Sequence, residues 1–345
     1  MEKVFQQALA HHKAGRLDAA EPLYRQAAAW KPAWALGNLG ALLRTTGRLD
    51  EAEAALREAL ADDPGNVPVR HTLGMTLLQA GQYVEGWRFY EARHEITPLP
   101  AVPFPRWQGE ALMGKRLLVV AEQGLGDQIL LSRFLPLAAQ RGAQVQFAAP
   151  RPLARLFSLL GVEVFHPQSW DGVAADFWTP LCSLPRWLGA GPADAPMNVL
   201  ARPAQPVAGV GLMLEGAAVN GNNLNRLPSP AIAGAIRGLA AFTDLSPQAT
   251  GVRDFAETAD IVAGLERVVT VDTSVAHLAG SMGKPCWVLM ARPAIDWWTH
   301  WGDDRADWYP SVRLIRQRTA GDWAGVLGDL AGVLAQPVPA DVTPG

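Results

Sequence analysis

Apolar residues recur with a helical period over roughly the first hundred positions, and the period breaks at even intervals. Gly15-Arg16-Leu17-Asp18-Ala19-Ala20 realigns with Gly47-Arg48-Leu49-Asp50-Glu51-Ala52 and with Gly81-Gln82-Tyr83-Val84-Glu85-Gly86, the glycines lying 32 and 34 positions apart. Pro32, Pro64 and Pro98 repeat at the same spacings. Proline stops a helix there, because it lacks an N–H and disfavours helical backbone just before it. Within each unit a small residue (Ala20, Ala52, Gly86) precedes a large one (Tyr24, Leu56, Tyr90) by four positions, so slot and wedge share one helix face. Leu39-Gly40 and Leu73-Gly74 mark the first helices of units two and three, where unit one has Gln7-Ala8. Each unit therefore predicts a helix, a turn at the glycine, a second helix and a stop.

Such helix pairs stack into a superhelix with a concave face. The spacing and the slot-and-wedge pattern resemble the tetratricopeptide repeat, with three units over residues 1–98. Two roles are open to them: a groove for a peptide or protein acceptor, or a structural cap that docks on the next domain.

Beyond Pro98, Pro100, Pro103 and Pro105 the pattern changes to buried strands alternating with helices. Residues 116–121 predict a strand, 122–127 a turn, 128–141 a helix, 144–148 a strand, 153–160 a helix and 162–165 a strand. A second run predicts strands at 207–212, 267–271 and 286–290, with helices at 254–265 and 274–282. Residues 190–206, rich in Ala, Pro and Gly, read as a linker. The expected class is α/β: helical repeats over 1–98, a connector over 99–113, and two Rossmann-like lobes over 114–204 and 205–335. A structureless tail is expected over 336–345. Ligands of this architecture bind outside the carboxyl ends of the strands.

Composition narrows the function classes. The 345 residues are 49% hydrophobic and 18% charged, enough for real cores. Thirty basic against 33 acidic residues leave a net charge of −3, with no global field for nucleic acid or an anionic membrane. Cys182 and Cys286 stand alone without metal-ligand spacing, which excludes a disulfide scaffold and fits a reducing compartment. No apolar leader opens the chain, and no stretch reaches the roughly 18 apolar residues that span a bilayer. A cytoplasmic protein without an integral membrane segment is expected.

The sharpest candidate chemistry lies where the 267–271 strand runs into Asp272, Thr273, Ser274 and the next helix. The first turn of a helix presents unpaired N–H groups and the positive end of its dipole, which favour a phosphate. Thr273 and Ser274 add hydroxyls, and His277 shares their helix face. The plainer alternative is that Asp272 caps the helix and His277 is a core histidine. In the first lobe Gly124-Leu125-Gly126-Asp127 takes a strand-to-helix turn, where Asp127 is a candidate general base or simply a stabiliser of its helix start. No D-x-D triplet or His/Asp cluster suits a divalent ion.

From about 115 to 330 the chain resembles the family-nine heptosyltransferases and, more closely, tetratricopeptide-linked bacterial glycosyltransferases related to protein O-GlcNAc transferase. The matching segments are Glu122-Gln-Gly-Leu-Gly-Asp-Gln128, Pro180-Leu-Cys-Ser-Leu-Pro185, Asp254-Phe-Ala-Glu-Thr-Ala-Asp260, Asp272-Thr-Ser-Val-Ala-His-Leu-Ala-Gly280, Gly283-Lys-Pro-Cys-Trp-Val288 and Trp308-Tyr-Pro-Ser311. The resemblance implies a GT-B fold and an inverting transfer from a nucleotide-diphosphate sugar, with no metal and no resident cofactor. It implies Asp127 as catalytic base, with Gly124, Gly126, Arg226, Asp272, Thr273, Ser274 and His277 on the donor. A protein or peptide acceptor would be presented by the repeats. Two departures stand against it. Residues 220–226 keep Arg226 but lack the lysine of the relatives, and Phe242-Thr243-Asp244-Leu245-Ser246-Pro247 replaces their strand and base-contacting turn. These motivate the alternative of a catalytically inactive repeat-bearing scaffold that binds a protein partner. A lipopolysaccharide-directed transferase is a lesser third option. Trp297, Trp298, Trp301 and Trp308, with Arg292, Asp296, His300 and Asp307 among them, suit either stacking on a ligand or core packing. Glu257 and Thr258 are expected to serve capping and contact between lobes.

Overall fold

The computed structural model describes residues 2–30, 32–203, 209–216, 226–292, 296–299 and 304–339. The chain forms two compact units, Met1–Ala101 with Pro293–Gly302, and Val102–Arg292 with Asp303–Gly345.

In the first unit three helix pairs follow the predicted repeats: Glu2–Lys13 with Leu17–Ala28, Ala33–Thr45 with Leu49–Asp62, and Val67–Gln79 with Tyr83–Tyr90. The turn glycines Gly15, Gly47 and Gly81 all take positive φ, which side chains resist. The Leu-Gly pairs now have a physical reason. A Cβ on Gly40 would lie 2.5 Å from Leu56 Cγ, and one on Gly74 would lie 2.5 Å from the Tyr90 backbone nitrogen. The two helices of a unit thus meet at the glycine, with the wedge residue seated against it and Tyr24 and Leu56 fully buried. Between successive second helices runs a ladder with the same repeat: Arg25–Glu51 at 2.8 Å, Arg48–Glu21 at 2.6 Å and Arg57–Glu85 at 2.7 Å. Residues 296–299 fall inside the span expected for the second lobe, yet they pack with the repeats. Trp297 meets Trp87 edge-on at 5.5 Å, and Arg44 donates to the Asp296 carbonyl at 3.4 Å. Two adjacent tryptophans with this much apolar surface are driven to whichever core accepts them.

The second unit holds two sheets. β1 (Arg116–Val120), β2 (Gln144–Ala148), β3 (Glu163–Phe165) and β4 (Phe177–Pro180) form an all-parallel sheet ordered β3-β2-β1-β4. β5 (Val210–Met213), β6 (Phe242–Asp244), β7 (Arg267–Val271), β8 (Cys286–Met290), β9 (Arg305–Ala306) and β10 (Tyr309–Arg316) are ordered β6-β5-β7-β8-β10-β9, antiparallel only at the β9 edge. This is the expected α/β class, two Rossmann-like lobes behind helical repeats. The helices Pro230–Arg237 and Trp323–Leu334 cover one face of the second sheet, with Ile236, Val326 and Leu330 packed on Leu212, Val269 and Leu289.

Three differences from the predicted elements have clear causes. The helix expected over 128–141 is two, Leu125–Leu131 and Phe134–Gln140. Pro136 has no N–H for the Ser132 carbonyl, and its ring crowds that carbonyl. β4 escaped notice because it is four residues long and ends in Pro180. The segment around 242–247, expected to replace a strand, supplies the edge strand β6, paired in parallel with β5. Among the described residues no helix is long and apolar enough to cross a membrane.

Candidate functional site

In an open parallel sheet the crevice for a ligand lies where the strand order reverses. That occurs between β1 and β4 in the first sheet and between β5 and β7 in the second. The loop after β1 carries Glu122-Gln123-Gly124, and the loop after β7 carries Asp272-Thr273-Ser274, so both sequence-predicted segments sit at switch points.

The first turn is tightly held. Gln123 takes φ +61, an uncommon value for a residue with a side chain, and its carbonyl accepts from Gln128 Nε2 at 3.1 Å. Glu122 Oε1 accepts from the Cys182 backbone N–H at 2.9 Å, which ties the loop after β1 to the segment after β4. Gly124 is the N-cap of the Leu125–Leu131 helix, and Asp127 Oδ2 accepts its N–H at 3.2 Å. Asp127, half-buried, therefore does serve its helix start.

At the second turn the capping expectation needs correcting. Thr273, and not Asp272, is the N-cap of the Ser274–Ser281 helix. The Thr273 hydroxyl pairs with Thr270 Oγ1 at 3.1 Å and makes no side-chain cap. The Asp272 carbonyl instead accepts from Arg226 Nη1 at 2.7 Å, which brings that guanidinium to the helix start. Residues 220–225 lie outside the described residues.

The two turns come together. A Cβ on Gly126 would lie 3.5 Å from Ser274 Cα and 2.8 Å from His277 Cδ2, so only glycine admits the histidine ring there. His277 is buried, and its Nδ1 lies 3.2 Å from the Tyr309 hydroxyl. Burial pushes its pKa down to about 3, so the imidazole is neutral at physiological pH. His277 thus lies enclosed at the contact of the two turns.

Other contacts between lobes fit the packing roles. Asp254 Oδ1 caps Glu257 N–H at 3.0 Å, while Arg155 of the first lobe reaches Asp254 at 2.9 Å and Glu257 at 3.4 Å. Thr258 donates to the Asp254 carbonyl. Trp297 and Trp298 are buried in the repeat unit, Trp308 is buried against Phe134 in the other, and His300 and Trp301 lie outside the described residues. Among the described residues no three His, Cys, Asp or Glu side chains group as metal ligands do.

Sequence reasoning missed Arg133. It is fully buried at the break between two helices, and no nitrogen of its guanidinium has a hydrogen-bond acceptor among the described residues. Its guanidinium carbon lies 5.3 Å from the Tyr309 ring centre and 6.0 Å from that of Trp308. The available signal was a lone cation inside the apolar run Ile129-Leu130-Leu131-Ser132-Arg133-Phe134-Leu135.

Known proteins share parts of this architecture. Residues 5–26 and 43–91 match family models of the tetratricopeptide repeat, so the N-terminal helix pairs are such repeats. Protein FlbA of Caulobacter vibrioides is 26% identical over 363 residues, covering 84% of this chain. The chain spans 60% of the length of that relative. Among solved structures, the E. coli heptosyltransferase WaaC with ADP is 12% identical with a TM-score of 0.41, over 64% of this chain and 98% of its own. The Thermobaculum terrenum O-GlcNAc transferase is 14% identical with a TM-score of 0.28, over 97% of this chain and 90% of its own. The iron-containing dodecameric glycosyltransferase TibC from enterotoxigenic E. coli is 13% identical with a TM-score of 0.36, over 52% and 59% respectively. The two sheet orders define the fold of this chain without help from those likenesses.

Proposed function

We propose that this chain is an inverting, metal-independent glycosyltransferase that moves a sugar from a nucleotide-diphosphate donor to a protein or peptide acceptor held by the repeats. One observation carries the reading: the switch points of both lobes end in helix starts that touch, Gly126 against Ser274. A carboxylate and an anion-favouring helix tip are thereby neighbours, as displacement at an anomeric carbon requires.

In this scheme Asp127 accepts the proton of an acceptor hydroxyl while that oxygen attacks the anomeric carbon from the face opposite the diphosphate. The bond from anomeric carbon to phosphate oxygen breaks, and the nucleoside diphosphate leaves with both electrons. The unpaired N–H groups of the Ser274–Ser281 helix, the Thr273 and Ser274 hydroxyls and Arg226, held by the Asp272 carbonyl, stabilise the departing charge. Arg can bridge two phosphate oxygens, which offsets the missing lysine. Gly124 and Gly126 leave room for close backbone approach. For the acceptor, Trp34, Gly37, Asn38, Asn66, Val69 and Thr72 line a pocket of about 290 Å³ between the first helices of repeats two and three. Two free thiols, Cys182 and Cys286, suit the cytoplasm.

The second reading is a scaffold that has lost catalysis. The same contact favours it, because Gly126 and Ser274 as they stand leave no space for a diphosphate between them. A thermal-shift screen with UDP-, GDP-, ADP- and CMP-sugars separates the two. A donor at 100 times its dissociation constant stabilises by about 2.7 kcal/mol. A flat response across the panel supports the scaffold. Where one donor binds, Asp127→Asn should keep binding and abolish transfer, and undiminished turnover would remove Asp127 from its role.

A further inference from the structure

The pocket between the first helices of repeats two and three is lined by Gly37 on one side and Thr72 on the other. Arg44 stands seven positions beyond Gly37, and Gln79 seven beyond Thr72. Seven residues are two helical turns, so each lies on the same face of its helix, about 10 Å further along the groove. The two meet there, Arg44 Nη1 donating to Gln79 Oε1 at 3.4 Å. In the pocket Trp34 is 37% exposed, whereas Arg44 and Gln79 are buried. This inner end has an occupant. Arg44 Nη1 also donates to the Asp296 carbonyl, and Trp297 sets its ring 5.5 Å from Trp87 and 6.1 Å from Tyr90. The occupant is a piece of peptide from the connection between β8 and β9, packed with the repeat unit.

Its fit is divided. The apolar half is good, with Trp297 and Trp298 both buried. The polar half is not. Both Arg44 contacts are long for N–H to O, and Arg44 Nε, Gln79 Nε2 and Asp296 Oδ2 have no hydrogen-bond partner among the described residues. The Asp296 carboxylate turns back on its own segment, where Oδ1 accepts from the Thr299 backbone N–H at 3.1 Å and from the Thr299 hydroxyl. Burial pushes the Arg44 pKa down, against the pull of the Asp296 charge. Polar groups left unmet in a buried seat are costly, so the indoles and not the polar contacts hold the segment in place. Two unmet donors, one of them on a guanidinium, suit a carboxylate. A peptide free of the tether to β8 and β9 can set one against both.

We propose that residues 296–299 are an internal ligand of the repeats, closing the inner end of their groove until a peptide with an acidic and an aromatic side chain takes the seat. That the incoming peptide is the acceptor rests on the reading of the repeats given above, whereas the seat and the release of its occupant do not.

Native-state hydrogen exchange of the full chain in low urea reads the release. The amides of 297–299 should exchange by a local opening, about tenfold or more faster than the core amides of 39–43 and with a weaker dependence on urea. Exchange at the rate and urea dependence of 39–43 would make the segment a fixed part of the fold and overturn the proposal. The seat is tested in trans by fluorescence anisotropy, with a fluorescein-labelled tetrapeptide Asp-Trp-Trp-Thr amidated at its C-terminus. Trp297→Ser with Trp298→Ser vacates the seat and should bind this probe about tenfold more tightly than wild type, where the tethered occupant competes. Adding Arg44→Met should abolish the gain. Equal binding by wild type and the vacated protein, or a gain that survives Arg44→Met, overturns the peptide seat. Should the vacated protein fail to fold, wild type decides: the tetrapeptide at about 1 mM should speed exchange at 297–299 and leave 39–43 unchanged, and no change overturns the proposal. A flat donor panel would remove the glycosyltransferase reading and leave these results standing.

Discussion

Gly126→Ala is the most direct perturbation of the contact on which the proposed function rests. The added methyl would lie 2.8 Å from His277 Cδ2, so to reach ordinary contact near 3.4 Å the ring must retreat by about 0.6 Å. It has little freedom to do so, being buried and held at Nδ1 by the Tyr309 hydroxyl. Inserting a methyl into such a site costs about 1–3 kcal/mol. Alanine regains up to about 1 kcal/mol over glycine in a helix. With the full regain the net loss is about 0–2 kcal/mol, which for a unit of this size lowers Tm by up to about 8 °C. Differential scanning fluorimetry and urea unfolding of the full chain read this directly. His277→Ala in the same background makes room for the methyl, so the two substitutions together should cost less than their sum. A Gly126→Ala variant as stable as wild type, with additive behaviour in the pair, would mean that the two helix starts do not touch in solution. The carboxylate and the phosphate-favouring tip would then not be neighbours.

The remaining predictions concern the buried titratable groups and the repeats. Since burial holds His277 near pH 3 while the unfolded chain titrates near 6.5, the unfolded state binds the extra proton between those values. The stability contributed by the neutral ring is complete above about pH 6.5 and is lost as pH falls toward 3. The urea midpoint should drop from pH 7.5 to pH 5 more steeply in wild type than in His277→Gln, and a wild-type rise on acidification would contradict this. Cys182 and Cys286 are both buried, and burial raises the Cys286 thiol, so neither should react with Ellman's reagent until the protein unfolds. Prompt labelling of native protein at either site would refute that. Arg57→Ala breaks a half-exposed pair with Glu85 and should cost no more than about 1 kcal/mol, an effect that shrinks in 1 M salt. A larger loss, insensitive to salt, would show that the ladder acts through packing.

The repeats were the most legible part of the chain because every contact that makes them is local. Gly40 meets Leu56 and Gly74 meets Tyr90 within one helix pair, at a fixed offset that recurs with the period. The strands β1, β7 and β8 were equally readable, being near-continuous apolar runs buried on both faces, and β2 by its alternation of glutamines with the buried Val145 and Phe147. Strand order was not. It depends on β4 joining β1, and β4 is a four-residue stretch whose identity is decided by its partner. Nor could spacing reveal that residues 296–299 leave the lobe they belong to in sequence, since a pair of tryptophans carries no address.

The candidate site divides along the same line. Helix starts after buried strands were visible as residue patterns, and they lie at the switch points where a ligand is expected. What surrounds them was set by tertiary packing. His277 shares a face with Thr273 and Ser274 on any helical wheel, yet a helix face can be turned toward a groove or toward a neighbouring helix. The missing side chain of Gly126 decides for the neighbour. Arg133 shows the same dependence more sharply, because a cation in an apolar run reads as a flaw until Tyr309 and Trp308 arrive from about 175 residues away to receive it. A glycine that admits a histidine, and a buried arginine with no hydrogen-bond acceptor among the described residues, are both costly to stability for no gain in a mere structural joint. Their meeting where the two switch points touch is why the joint itself, and not either turn alone, is the place to look for chemistry.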